Sequence, residues 1–503
     1  MSQETLRPDG RPVELEELGF VVVSRNLSAR MEALPGSTPG VRSGGQGFTA
    51  PVMKSADMRE MGTVILEDAH PERDEEKSVE LHVPAGGRED GRLLLYFDEN
   101  GAVTFHLPQA EERPPAGVRA GGKMLRFEVP IRKPVKEEAA APTRGIGGMA
   151  ARKVFKVLGW KVAGAAAAQY GPRLVRRWEN AHRPTRVVDR AGLFEPGAPA
   201  RADLIPPAER TLLLVHGTFS RVASGFKGLD SDDAFLTAID DAYGNSIYGF
   251  DHATVATGVA TNVMQFYEKL APGRHNIDII CHSRGGLVAR ALRDLSEQQL
   301  KERFALDAER GRYEDELKAW GQAWRIPAGV EVNVNCILFG GTPNQGTVLA
   351  QPAFLQKYLE LLMTASNLLP EVADVTVDAI LSVAKILLSE VMFELPGLDD
   401  QKPGSSLLEL LQDSPGPRDA AIQADYRPPT GLQALMRTAD ALVDRIFQRH
   451  NDLVVPNDST SRWPEGSFEP DRLLAFAADK SVWHSSLFLQ AETRQRMRAW
   501  LAA

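Results

Sequence analysis

Along residues 1–133 the apolar side chains come in short alternating or β-branched runs: Phe20-Val-Val-Val-Ser, Thr63-Val-Ile-Leu-Glu, Ser78-Val-Glu-Leu-His-Val and Met124-Leu-Arg-Phe-Glu-Val. A period of two puts one face of a strand on a core and the other in water. Between Leu93-Leu-Leu-Tyr-Phe and Val103-Thr-Phe-His-Leu stands Asn100-Gly101, a pair that tolerates the positive φ of a tight hairpin. The pattern predicts a small antiparallel β domain over 1–133, with the acid-rich stretch 67–76 as a solvated loop.

From residue 208 the texture changes. Thr211-Leu-Leu-Leu-Val, Ser246-Ile-Tyr-Gly-Phe, Ile277-Asp-Ile-Ile-Cys and Val332-Asn-Val-Asn-Cys-Ile-Leu-Phe are apolar runs of strand length. After the third, Leu287, Val288, Ala291, Leu292 and Leu295 recur at three-to-four spacing, with Arg290, Arg293 and Asp294 on the other side, which predicts a helix. Strands alternating with helices predict a parallel sheet whose ligand sits at the carboxyl ends of the strands. Two intervals fall outside this rhythm. Residues 134–207 read as a linker followed by a basic amphipathic helix, in which Val154, Phe155, Leu158 and Val162 share a face opposite Arg152, Lys153 and Lys156. Residues 347–440 read as a helical insertion, with apolar faces over Phe354–Met363 and Val377–Met392 that predict either a lid or a cap on the core.

The strand Ile277–Cys281 runs through His282 into Ser283-Arg284-Gly285-Gly286 and then the helix. That order is a nucleophile elbow: a serine hydroxyl is a poor nucleophile and must stand off the sheet where a base can reach its proton. Cys281 occupies the position where the usual Gly-x-Ser-x-Gly has its first glycine. The plainer reading of the same residues is a βα turn in which the serine caps a helix. Upstream, the strand Thr211–Val215 ends in His216-Gly217-Thr218-Phe219, where the backbone N–H of Thr218, with that of Arg284, could form an oxyanion hole. His216 is expected to hold this loop rather than act as a base. With acid and histidine following the serine, Asp452 is the candidate acid and His484 the candidate base, against Asp444, Asp458 and His450 as competitors. Phe219, His282, Leu355 and Leu359 are the candidate substrate-binding residues.

These residues resemble those of α/β-hydrolases of the lipase and esterase type, similar to GPI-inositol-deacylase-like and triacylglycerol lipase domains. The resemblance rests on His216-Gly217-Thr218, Cys281 to Gly286, Gly341-Thr342-Pro343, Leu395-Pro-Gly-Leu398, Pro403-Gly-Ser405, Asp452 to Pro456 and His484-Ser485, and covers about residues 208–503. It implies an α/β-hydrolase fold, a mostly parallel sheet flanked by helices with a helical lid insertion, preceded by the β domain. It further implies a Ser283–His484–Asp452 triad that cleaves a lipid-like carboxylic ester through an acyl-enzyme, with no cofactor and no metal. An amidase, peptidase or thioesterase would use the same groups, and a non-catalytic interaction module is the alternative from another class.

Composition narrows the partners. A net charge of −9 argues against a general nucleic-acid binder, and two cysteines in expected core strands argue against a disulfide framework. The absence of a charged-then-apolar leader points to the cytoplasm. The basic stretch 144–180 could make a peripheral membrane contact, and the β domain could recognise a protein partner.

Overall fold

The computed structural model describes residues 3–36, 58–71, 77–87, 90–97, 103–119, 122–131, 153–161, 179, 184–195, 204–294, 327–351, 354, 359–360, 395–411, 414–427 and 450–502. The chain forms two compact units: Met1–Gly171 with Gln356–Phe393 and Pro428–Val443, and Pro172–Leu355 with Glu394–Arg427 and Asp444–Ala503.

The first unit is built of antiparallel strands, as the alternating runs predict. They are β1 (Gln3–Leu6), β2 (Val13–Leu15), β3 (Phe20–Ser24), β4 (Leu27–Pro35), β5 (Arg59–Pro71), β6 (Lys77–Pro84), β7 (Asp90–Phe97), β8 (Val103–His106), β9 (Ala110–Glu112), β10 (Met124–Ile131) and β11 (Lys153–Lys161). One sheet runs β1-β4-β5-β11-β7-β8 and the other β2-β3-β6-β10-β9. Val64, Leu94 and Phe155 of the first share a core with Val22, Leu81 and Phe127 of the second, as two stacked sheets require. The pairing of Phe97 with Val103 agrees with the hairpin expected at Asn100-Gly101.

β11 corrects the reading of 144–180 as a basic amphipathic helix. It is an interior strand paired to β5 and β7, with Lys153, Lys156 and Trp160 buried, and it carries the β-rich unit past residue 133. Lys156 Nζ lies 3.2 Å from Glu60 Oε2, so this cation is paired within the β-rich unit rather than set on the polar face of a helix. An interior strand apolar on both faces does not alternate, so spacing alone reads it as a helix. Beyond β11, residues 144–180 lie outside the described residues except Glu179.

The second unit carries β12 (Arg186–Asp189), β13 (Thr211–Val215), β14 (Ile247–Asp251), β15 (Gly273–His282), β16 (Val330–Gly340), β17 (Ala420–Ala424), the hairpin β18 (Arg462–Trp463) and β19 (Gly466–Ser467), and β20 (Leu473–Phe476). The main sheet is ordered β12-β14-β13-β15-β16-β17-β20, with β12 antiparallel and the other strands parallel. β17 lies inside the interval read as a helical insertion, so that interval also supplies a sheet strand. Successive residues serve opposite faces: Leu213, Val215, Ile279 and Cys281 pack with the helices Val259–Tyr267 and Gly285–Asp294. Leu212, Leu214, Ile280 and Leu338 pack with the helices Asp233–Tyr243 and Ala491–Ala502. Because both faces are covered, these strands are continuous apolar runs. From β13 the chain moves to one side, to β14, and then returns to β15 on the other. The carboxyl ends of β13 and β15 therefore lie at a topological switch point, the place where open parallel sheets bind their ligands. Among the described residues no helix is long and apolar enough to cross a membrane.

Candidate active site

Register sets the two loops side by side. Val215 pairs with Cys281, so His216-Gly217-Thr218 and His282-Ser283-Arg284 leave the sheet together. Ser283 has φ 53°, the left-handed conformation that turns a strand sharply into a helix at some cost to a non-glycine residue. Its N–H donates to Gly340 O at 2.8 Å, which ties the turn to the end of β16. Glycine is required at 285 because a Cβ there would overlap the carbonyl oxygens of Val215 and His216. At 281, by contrast, a side chain fits: Cys281 is buried, and its Sγ donates to Leu338 O at 3.4 Å. Burial pushes the Cys281 thiol pKa up, and that of Cys336 to about 12, so neither offers a thiolate to compete with Ser283 near neutral pH.

The candidate acid and base meet. His484 Nδ1 lies 2.7 Å from Asp452 Oδ2, and His484 N–H donates to Asp452 O at 3.0 Å. Asp452 Oδ1 accepts the N–H groups of Val454 at 3.0 Å and Val455 at 2.7 Å, so the carboxylate is fixed from both ends. Facing a carboxylate, Nδ1 is the nitrogen that carries the proton of a neutral imidazole, leaving Nε2 as the basic site. A Cβ at Gly341, whose φ is 56°, would lie 2.9 Å from Asp452 Oδ2 and 3.0 Å from His484 Nδ1. Since Ser283 N–H is bonded to the neighbouring Gly340, the serine and the acid–base pair converge on the same end of β16. The Ser283 hydroxyl makes no hydrogen bond among the described residues. The competitors are set apart: His450 is exposed and pairs with Asp425 at 2.7 Å, Asp458 is exposed, and Asp444 lies outside the described residues.

His282, expected to bind substrate, has another place. Its Nε2–H donates to His484 O at 3.0 Å, and its ring lies 4.7 Å from that of His484 and edge-on to Phe488. Burial first, then the neighbouring His484, pushes its pKa down to about 3, so the ring is neutral and braces the candidate base.

The candidate oxyanion loop is held by groups that sequence reasoning did not single out. A Cβ at Gly217 would lie 2.5 Å from that of Ser283, which shows how closely the loop passes the serine. Thr218 Oγ1 donates to Gln401 Oε1 at 3.2 Å, and Gln401 Nε2 donates to Gly397 O at 2.7 Å. Phe219 is in the left-handed region (φ 59°), donates its N–H to Thr254 Oγ1 at 3.2 Å and buries its ring in the core. His216 accepts His252 N–H on Nε2 at 3.1 Å and stacks on the His252 ring, the loop-holding role expected of it. Arg284 is fully buried; its guanidinium donates to Gly397 O, Thr257 O and Asn262 Oδ1, leaving its backbone N–H at the elbow as the second candidate donor. Leu359 is buried in the β-rich unit, and Leu355 lies outside the described residues. Nothing in local sequence marks Gln401 or Thr254, because their partners lie 183 and 35 residues away.

A family model described as a domain of unknown function, DUF7379, matches residues 186–308 and 322–502, and the chain belongs to that family. No curated protein matches it. Among solved structures it is similar to lipase 1 of Pelosinus fermentans, at 13% identity and a TM-score of 0.38, covering 58% of this chain and 97% of that one. It is also similar to the Staphylococcus hyicus lipase, at 13% identity and a TM-score of 0.33, covering 60% and 95%.

Proposed function

We propose that the second unit is an α/β-hydrolase that cleaves a carboxylic ester with a lipid-like acyl group through Ser283, His484 and Asp452. The observation that carries this reading is the buried His484–Asp452 pair, 2.7 Å apart, at the strand end to which left-handed Ser283 is bonded. His484 Nε2 takes the proton of Ser283 Oγ as that oxygen attacks the acyl carbonyl. The carbonyl oxygen becomes an oxyanion that accepts the backbone N–H groups of Thr218 and Arg284. Protonated His484, steadied by Asp452, returns the proton to the departing alcohol, and water, activated by the same imidazole, then releases the acid and frees Ser283. No step calls for a metal or an organic cofactor.

A fluorophosphonate probe should label the wild-type protein at Ser283, and Ser283→Ala should remain unlabelled. In a panel of p-nitrophenyl esters and phospholipids, at least one should be turned over by wild type and not by Ser283→Ala. Turnover that survives the alanine change, or a wild type that is neither labelled nor active, would overturn the assignment.

A further inference from the structure

We propose that Glu179 is a positioning residue of the oxyanion loop, acting through Thr254, an inference that rests on the hydrolase reading above. Glu179 precedes residue 186, where the match to the family model begins, and it is the single acid set against the basic residues between Arg144 and Arg186. Its carboxylate is fully buried. The N–H groups of three successive residues converge on it: Thr254 and Val255 donate to Oε1 at 2.7 and 2.9 Å, and Ala256 to Oε2 at 2.8 Å. Successive N–H groups turned to one side make a concave anion site, here filled by the chain's own carboxylate.

The link to the reacting atoms is the Thr254 hydroxyl. It donates to Glu179 Oε1 at 3.4 Å, and its oxygen accepts the N–H of Phe219 at 3.2 Å. With its hydrogen directed to the carboxylate, the hydroxyl presents a lone pair to Phe219. That bond restrains a left-handed, non-glycine residue immediately after Thr218, whose own N–H is the proposed oxyanion donor. Gly217, on the other side of Thr218, is packed against Ser283. The donor therefore sits between a fixed contact and a bond whose acceptor is oriented by Glu179. Loss of the carboxylate leaves three backbone N–H groups to find other acceptors, and the loop shifts with them. An oxyanion donor acts only in the transition state, so displacing it lowers kcat rather than raising KM.

The test uses the full-length protein, a p-nitrophenyl ester and a fluorophosphonate, with Glu179→Ala, Glu179→Gln, Thr254→Val and Thr254→Ser. Glu179→Ala and Thr254→Val should each lower kcat and the labelling rate about 10- to 100-fold, with KM changed less than about 2-fold. Thr254→Ser, which keeps the hydroxyl, should stay within about 3-fold of wild type, and Glu179→Gln should fall between, since its NH2 opposes one of the donors. If Glu179→Ala fails to fold, the valine and serine pair at 254 decides the matter, because it leaves the carboxylate and its three backbone bonds in place. Wild-type kcat in Thr254→Val, an equal loss in Thr254→Ser, or a loss confined to KM would overturn the proposal while leaving the hydrolase reading intact. A wild type that neither labels at Ser283 nor turns over ester would remove both.

Discussion

Asp452 and Glu179 are both buried carboxylates that accept successive backbone N–H groups, yet one leaves an oxygen for an imidazole and the other gives both oxygens to the main chain. The proposed acid–base half of the site is assembled from side chains 32 residues apart, in the order that the proposed chemistry demands. The proposed oxyanion half involves Glu179, Thr254 and Gln401, from three separate segments: Gln401 and Thr254 bond the loop, and Glu179 bonds Thr254. On the proposed reading, the contrast teaches that groups suited to moving protons leave a mark in sequence, whereas groups that only hold backbone in place do not.

Breaking the chemical half should have the largest effects. Ser283→Ala should remove ester turnover to background, and Asp452→Asn should lower kcat by about 10³- to 10⁴-fold by favouring the wrong imidazole tautomer. Both are read by steady-state kinetics, and an Asp452→Asn enzyme within about 10-fold of wild type would move the acid elsewhere. Gly341→Ala crowds the pair with a methyl group at a φ of 56°, and kcat should fall about 10-fold with a stability loss of about 1 kcal/mol by thermal melting. On the oxyanion side Gln401→Ala frees the Thr218 side chain while the loop's backbone contacts persist, and a fall in kcat of only about 2- to 5-fold is expected. A loss as large as that of Asp452→Asn would erase the distinction between the two halves.

The pH dependence of stability probes His282, which stands behind His484, rather than either half directly. His282 is held near about 3 against an ordinary value of 6.5, by burial first and His484 second, so the unfolded chain takes up the proton before the folded one does. The folded state keeps the full contribution above pH 6.5 and loses it as pH falls toward about 3, by at most about 1.4 kcal/mol per unit for this group. Thermal melting between about pH 7 and 4 should show a shallower acid limb in His282→Gln than in wild type. Identical limbs would mean that His282 is not the buried neutral brace of the base.

Much of the fold was legible because periodicity reports burial. Runs alternating at period two foretold the antiparallel unit, and continuous runs such as Leu212–Val215 foretold strands covered on both faces. The same physics misled at β11, where Val154, Phe155, Val157 and Leu158 are all buried and Lys156 finds Glu60 inside the protein. A buried lysine has no local signature, since its neutralising partner is 96 residues away. β17 was missed because Ala420-Ala-Ile-Gln-Ala is short and small-chained, and takes strand form only from pairing with β16 and β20.

By itself the sequence determined which groups could react and where the chain turns sharply enough to expose one, because elbow geometry needs a glycine at 285 and catalysis needs its acid and base in kind and order. Only the tertiary structure decided that Asp452 rather than Asp458 faces His484, that His282 bonds the His484 carbonyl, that Gln401 reaches the loop beside Ser283, and that Glu179 reaches Thr254. The reason is physical: reactivity belongs to the side chain, but proximity depends on strand register and packing between segments far apart in the chain.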